Sequence, residues 1–123
     1  MKIALCAQDK GQNALLDPRF GRCRYFALVD TAKETWEFIP NPGATSGGGA
    51  GIQAAQELAS RNVQAVIAGQ LGPNAMSVLR AAGIKVYSAA GNTVQEAYQN
   101  FLNNNAELLK AANAPPHAGI KSK

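Results

Sequence analysis

The chain has 123 residues, of which 46% are apolar and 16% charged, and its 12 Lys+Arg against 8 Asp+Glu leave a formal net charge of +4. That describes one globular domain with enough apolar content for a core of its own and too much for disorder. It excludes a bilayer span, which needs about 20 consecutive apolar residues, and a zinc finger or ribbon, since two Cys and one His far apart cannot close a four-ligand site.

Residues 2–7 read as a buried strand. The apolar stretch within it is too short for a signal-peptide core, so the chain is expected in the cytoplasm with Cys6 and Cys23 as reduced thiols. Residues 8–21 form a polar loop broken by Gly11, Asp17-Pro18 and Gly21. Long loops of this kind in small domains tend to be functional. Residues 1–24 also hold five basic side chains against two acidic ones, so the positive charge gathers here. Residues 24–30 and 35–39 read as two strands joined by a tight turn, hence an antiparallel hairpin.

The period then changes. Pro40-Asn41-Pro42-Gly43 ends the hairpin, and a glycine-rich loop from Thr45 to Gly51 leads into a helix predicted over 49–61, with Ile52, Ala55, Leu58 and Ala59 at helical spacing. A continuous apolar run predicts a parallel strand over 64–68. A second glycine turn over 69–74 places Pro73 at the first position of a helix that runs to Ala82 and stops at Gly83. A last strand is expected over 84–87. Thr93 and Glu96 make a capping box for a final helix whose apolar face is Val94, Ala97, Tyr98, Phe101 and Leu102. Residues 106–112 add a short turn, and a disordered tail is expected over 113–123. A single folded α/β domain is thus expected over residues 1–112.

The order β-β-β-α-β-α-β-α, with right-handed crossovers, gives an α/β fold whose sheet order is 3-2-1-4-5 with helices on both faces. Its switch point opens a crevice at the strands' carboxyl ends. The first loop, the Gly43–Gly51 loop and the 69–74 turn converge there, and the last two lead into helix N-termini. Unpaired N–H groups, the positive helix dipole and nearby arginines suit a small polyanion. The glycines match neither a Walker loop nor a dinucleotide fingerprint.

Several residues have a second, plainer reading. Asp17 and Phe20 read as a turn cap and a core side chain. Cys6 reads as a small buried apolar residue. Cys23 is open between a packed residue and a thiol activated by Arg22 and Arg24. His117, in the tail, reads as solvated or as a metal ligand. With that sole histidine outside the folded part, no Ser or Cys nucleophile has a base, and the acidic residues are scattered, so the chain is not expected to be an enzyme. Aromatics among Arg19, Arg22 and Arg24 raise single-stranded nucleic acid as a minor reading.

Asp17-Pro18-Arg19-Phe20-Gly21-Arg22-Cys23 before Tyr25-Phe26, then Gly47-Gly48-Gly49-Ala50-Gly51-Ile52, then Val66-Ile67-Ala68-Gly69 and Gly72-Pro73-Asn74-Ala75, resemble in combination and order the dinitrogenase iron–molybdenum cofactor biosynthesis family. The resemblance spans about residues 1–102. It implies a ribonuclease H-like three-layer fold and non-catalytic binding or carriage of an anionic metal–sulfur cluster. The cofactor would be a molybdenum-containing cluster of iron–molybdenum or molybdenum–copper sulfide type. Partners would be cofactor-assembly or ATPase proteins, with neither membrane nor nucleic acid. Together the crevice and the resemblance assign cluster holding to Arg19, Arg22, Gly47, Gly48, Gly49, Gly51, Gly69, Gly72 and Asn74, with Cys23 and His117 as candidates for direct metal ligation. The alternative is a regulatory or scaffold domain that binds a protein and no cluster.

Overall fold

The computed structural model describes residues 1–45 and 48–113. Eight elements follow in order: β1 (Lys2–Ala7), β2 (Tyr25–Asp30), β3 (Thr35–Pro40), α1 (Ala50–Ser60), β4 (Ala65–Ala68), α2 (Pro73–Ala81), β5 (Lys85–Ser88) and α3 (Val94–Leu102). The sheet order is β3-β2-β1-β4-β5, as the sequence predicts. β1 pairs antiparallel with β2 and parallel with β4, with Leu5 opposite both Ala27 and Ile67. The β2–β3 pair is antiparallel and the β4–β5 pair parallel.

Side chains alternate across a strand, so each strand feeds two cores. Ala4, Cys6, Phe26, Leu28, Val66 and Ala68 meet Ala54, Ala55 and Leu58 of α1 and Ala75, Met76 and Leu79 of α2. Ile3, Leu5, Ala27, Val29 and Ile67 meet Val94, Ala97 and Tyr98 of α3 on the opposite face. Because helices cover both faces, β1 and β4 are apolar on both sides, the pattern of a buried parallel strand. β3, at the sheet margin, alternates instead, and its Trp36 stacks on Phe38 and meets Tyr98 edge-on. No helix among the described residues is long and apolar enough to cross a membrane.

Two segments depart from expectation. Within the segment predicted as a turn over 106–112, residues 107–109 lie antiparallel along the outer edge of β5, between bends at 106 and 111. Ser88 N donates to Glu107 O, Leu109 N donates to Val86 O, and Leu108 bridges Tyr87. An unpaired strand edge is a row of free donors and acceptors, and this segment satisfies it. Asn113, placed by the sequence at the start of the tail, is bonded to the loop after β4. The rest of the expected tail, with His117, lies outside the described residues, as does Gly47.

Candidate functional site

The connections that end at the carboxyl side of β1, β3 and β4 meet at one end of the sheet. They enclose an open cleft of about 580 Å³, counting the solvent at its mouth, lined by residues 19–22, 49–52, 70 and 72–75. Each wall comes from one of the three loops expected to converge.

The first wall is the 19–22 stretch. Asp17 is buried, and its Oδ1 accepts from Arg19 N at 2.9 Å and from Arg19 Nε at 3.3 Å, an Asx-type turn closed by an ion pair. These bonds and the carboxylate charge hold the Arg19 pKa above its ordinary value. The guanidinium remains about half exposed, facing the cleft. Phe20 is buried against Phe26, with ring centroids 5.5 Å apart, and fixes the turn to the core. Arg22 joins Arg19 in the lining. The other basic residues of this region turn elsewhere: Lys10 and Arg24 lie 5.6 and 5.7 Å from the Tyr25 ring centroid. Lys2 opens β1 at the opposite end of the sheet, so of the five basic residues only Arg19 and Arg22 line the cleft.

The second and third walls are the starts of α1 and α2. Gly49, the residue before α1, sits at φ 70°, a left-handed conformation that favours glycine. Gly72, before α2, is extended, and Pro73 opens that helix. Neither helix has a side-chain cap or an acidic residue in its first turn. Their leading N–H groups and positive dipole ends are thus not answered by the protein's own carboxylates. The walls close on each other through glycine. A Cβ on Gly51 would fall 3.1 Å from Ala75 Cβ, and one on Gly21 only 2.8 Å from Gly51 N. These two contacts bring the α1 start against both neighbours.

Of the residues singled out from sequence, Arg19, Arg22, Gly49, Gly51, Gly72 and Asn74 are brought together in the lining. Gly48 is outside it and exposed. Gly69 stands behind it, with a Cβ there meeting Pro18 O at 3.0 Å. Cys23 is wholly enclosed and its Sγ donates to Phe20 O at 3.4 Å, which places it in the core rather than in the cleft. Cys6 is its buried neighbour. The hydrogen bond with Cys23 and burial push the Cys6 pKa well above the ordinary thiol value. Among the described residues no group of three or more His, Cys, Asp or Glu side chains could hold a metal ion.

Sequence reading missed Gln70, which joins two walls: its N donates to Pro18 O and its carbonyl accepts from Phe20 N. It also missed Asn41. That buried side chain donates from Nδ2 to Gly21 O and Cys23 O and accepts at Oδ1 from Gly43 N, tying the first loop to the loop before α1. A polar residue between two prolines was the available signal.

The arrangement offers main-chain N–H groups from two helix starts and two guanidinium groups, with no carboxylate in the lining. Such a set receives a compact anion and leaves its coordination sphere untouched. In class this is an α/β domain with an anion-receptive cleft at the switch point of a mixed sheet.

The chain belongs to the dinitrogenase iron-molybdenum cofactor family, whose model matches residues 1–104. An uncharacterized protein of Methanocaldococcus jannaschii is 34% identical over 113 residues, which cover 89% of this chain and 92% of that protein. The apo form of the orange protein from Desulfovibrio gigas is 40% identical and superposes with a TM-score of 0.87, covering 92% of this chain and 96% of that one. A Thermotoga protein described provisionally as a NifB protein is 34% identical with a TM-score of 0.81, covering 92% and 97%.

Proposed function

We propose that this chain binds and carries an anionic molybdenum-containing metal–sulfur cluster, of iron–molybdenum or molybdenum–copper sulfide type, without catalysing a reaction on it. The observation that carries this reading is the convergence of two uncapped helix starts and two arginines on one carboxylate-free cleft. Family membership supplies the kind of anion. Bridging and terminal sulfides carry negative charge and accept hydrogen bonds from amides, so N–H groups and guanidinium groups are suitable partners. Arg19, Arg22 and the amides of the 49–52 and 72–75 stretches hold the cargo.

Direct ligation by Cys23 would require drawing its enclosed thiol out of the core. Holding by charge and hydrogen bonds needs no such rearrangement, and it lets the cluster pass to cofactor-assembly partners without breaking a protein–metal bond.

Anaerobic addition of tetrathiomolybdate with copper, followed by gel filtration, tests the reading. A visible charge-transfer band that travels with the protein, and survives in the Cys6→Ala/Cys23→Ala double variant, is expected. Loss of the band in the folded double variant would assign the holding to thiolates. Absence of any band in the wild type, with iron–molybdenum cofactor also not retained, would leave a scaffold that binds protein partners alone.

A further inference from the structure

The 69–72 loop carries Gln70 and Gly72 into the cleft lining, and it is gripped from both sides. On one side are Pro18 and Phe20, bonded to the Gln70 main chain. On the other is Asn113. Its Oδ1 accepts from Leu71 N at 2.8 Å, its Nδ2 donates to Gly69 O at 2.8 Å, and its own N donates to Leu71 O at 3.0 Å. The side-chain amide thus acts as a peptide unit would in a strand pair. Nothing in the sheet does this job, because the β4–β5 pairing ends at Ala68 and Ser88.

Upstream, the segment is fastened to β5 through Glu107 and Leu109, and Leu109 and Ala112 pack on the α1/α2 core. It therefore runs from the sheet margin to the back of the cleft wall. All of it lies beyond the 1–104 stretch that the family model matches.

We propose that residues 106–113 are a strap that sets the position of the 69–72 wall, with Asn113 as its positioning residue, and that docking of the strap and filling of the cleft are linked; this rests on the cluster-holding function proposed above. Glycines at 69 and 72 bracket the wall and give it points about which to turn. With Asn113 seated, the Leu71 amide and Gly69 carbonyl are fixed, and the Gln70 side keeps its bonds to the first loop. With Asn113 withdrawn, both groups lose their partners and the wall is held from one side only. A ligand that prefers the seated wall must then tighten the strap in return, since linkage is reciprocal.

The test uses the full chain and three variants: Asn113→Ala, Asn113→Asp and the exposed control Ala111→Ser. Amide exchange without ligand is read at Leu71 and Gln70 against β1 and β4, and tetrathiomolybdate affinity is read by titration at two salt concentrations. In Asn113→Ala, exchange at Leu71 and Gln70 is expected to accelerate while β1 and β4 are unmoved. Affinity is expected to fall about three- to tenfold, the scale of one or two lost hydrogen bonds. Its salt dependence should stay the same, because no charge was removed. Asn113→Asp keeps the acceptor for Leu71 N, so its Leu71 exchange should remain near the wild-type rate, as in Ala111→Ser.

Unchanged Leu71 exchange in Asn113→Ala would overturn the strap. Accelerated exchange with wild-type affinity would overturn its link to the cleft. If the wild type takes up neither tetrathiomolybdate, with or without copper, nor iron–molybdenum cofactor, the cluster-holding function fails, and the strap stands or falls on whether Gln70, bonded across to Pro18, accelerates with Leu71.

Discussion

Arg19 faces the cleft while bonded to Asp17, so part of its charge is spent within the protein. Two substitutions separate these roles. Arg19→Ala should weaken anion binding by about 0.5–1.5 kcal/mol, a modest figure because the group is half exposed. Asp17→Asn keeps an acceptor for Arg19 N and removes the competing carboxylate. It should strengthen anion binding while lowering fold stability by about 1–3 kcal/mol. Isothermal titration and denaturant melts of both variants check the opposite signs. The thiols behave as core residues. Hydrogen bonding with Cys23 and burial raise the Cys6 pKa above the 9.0 of a free thiol. The stability this represents is full below the unfolded thiol's pKa. It is lost as pH rises from there toward the folded value, because the unfolded chain then ionises first. Urea midpoints should therefore fall above about pH 9, and a thiol reagent should label Cys6 and Cys23 only at the rate of unfolding. Fast stoichiometric labelling of the native protein at neutral pH would contradict this.

The starts of α1 and α2 are left without a side-chain cap, as the proposed anion binding requires. An N-cap side chain normally satisfies the second or third amide of a helix, and its absence is a cost in stability. Gly72 has the extended backbone that a capping residue adopts. Gly72→Asp should supply the cap, leave stability equal or higher by about 0.5 kcal/mol, and weaken anion binding by occupying and neutralising the Asn74 and Ala75 amides. Gly72→Ser caps without charge and should cost less affinity. Thermal melts beside tetrathiomolybdate titrations decide it; a destabilised Gly72→Asp variant that binds normally would show that the bare helix start serves packing. α3 is the contrast. It lies on the other face of the sheet, and there Thr93 and Glu96 form a complete capping box.

At the scale of the molecule, the basic excess matters only where it is placed. A multiply charged anion held by Arg19, Arg22 and helix dipoles should bind several-fold more weakly at about 150 mM salt than at 10 mM, as the screening length falls from about 30 to 8 Å. Titrations at both salt concentrations, with melting temperature as the control, measure this. The fold was legible in the sequence because its determinants are local. The apolar runs of β1 and β4, the shift to helical spacing at Ile52 and the short hairpin leave few ways to connect five strands. Much of the cleft lining was legible for the same reason: glycines before helices and arginines in one loop. The rest depends on non-local contacts. Alternation cannot orient Cys23, because β2 begins only at Tyr25. Glycine identity does not tell a residue that lines a cleft, such as Gly49, from one that backs it, such as Gly69. Asn113 follows two alanines with no period around it, and its partners are 42 and 44 residues away.

The segment laid along β5 has a colloidal consequence as well. A five-stranded open sheet exposes two margins where another molecule's strand can add, a route to aggregation. At β5 that position is already filled by Glu107–Leu109 hydrogen bonding. At β3 the margin carries the exposed Glu37 and ends in Pro40, which has no N–H to offer. Each flank is thus guarded by a different means, one by chain and the other by charge and proline. Cutting the chain before residue 106 would strip the first guard and should raise self-association through the β5 side, which light scattering of the cut and full chains would measure.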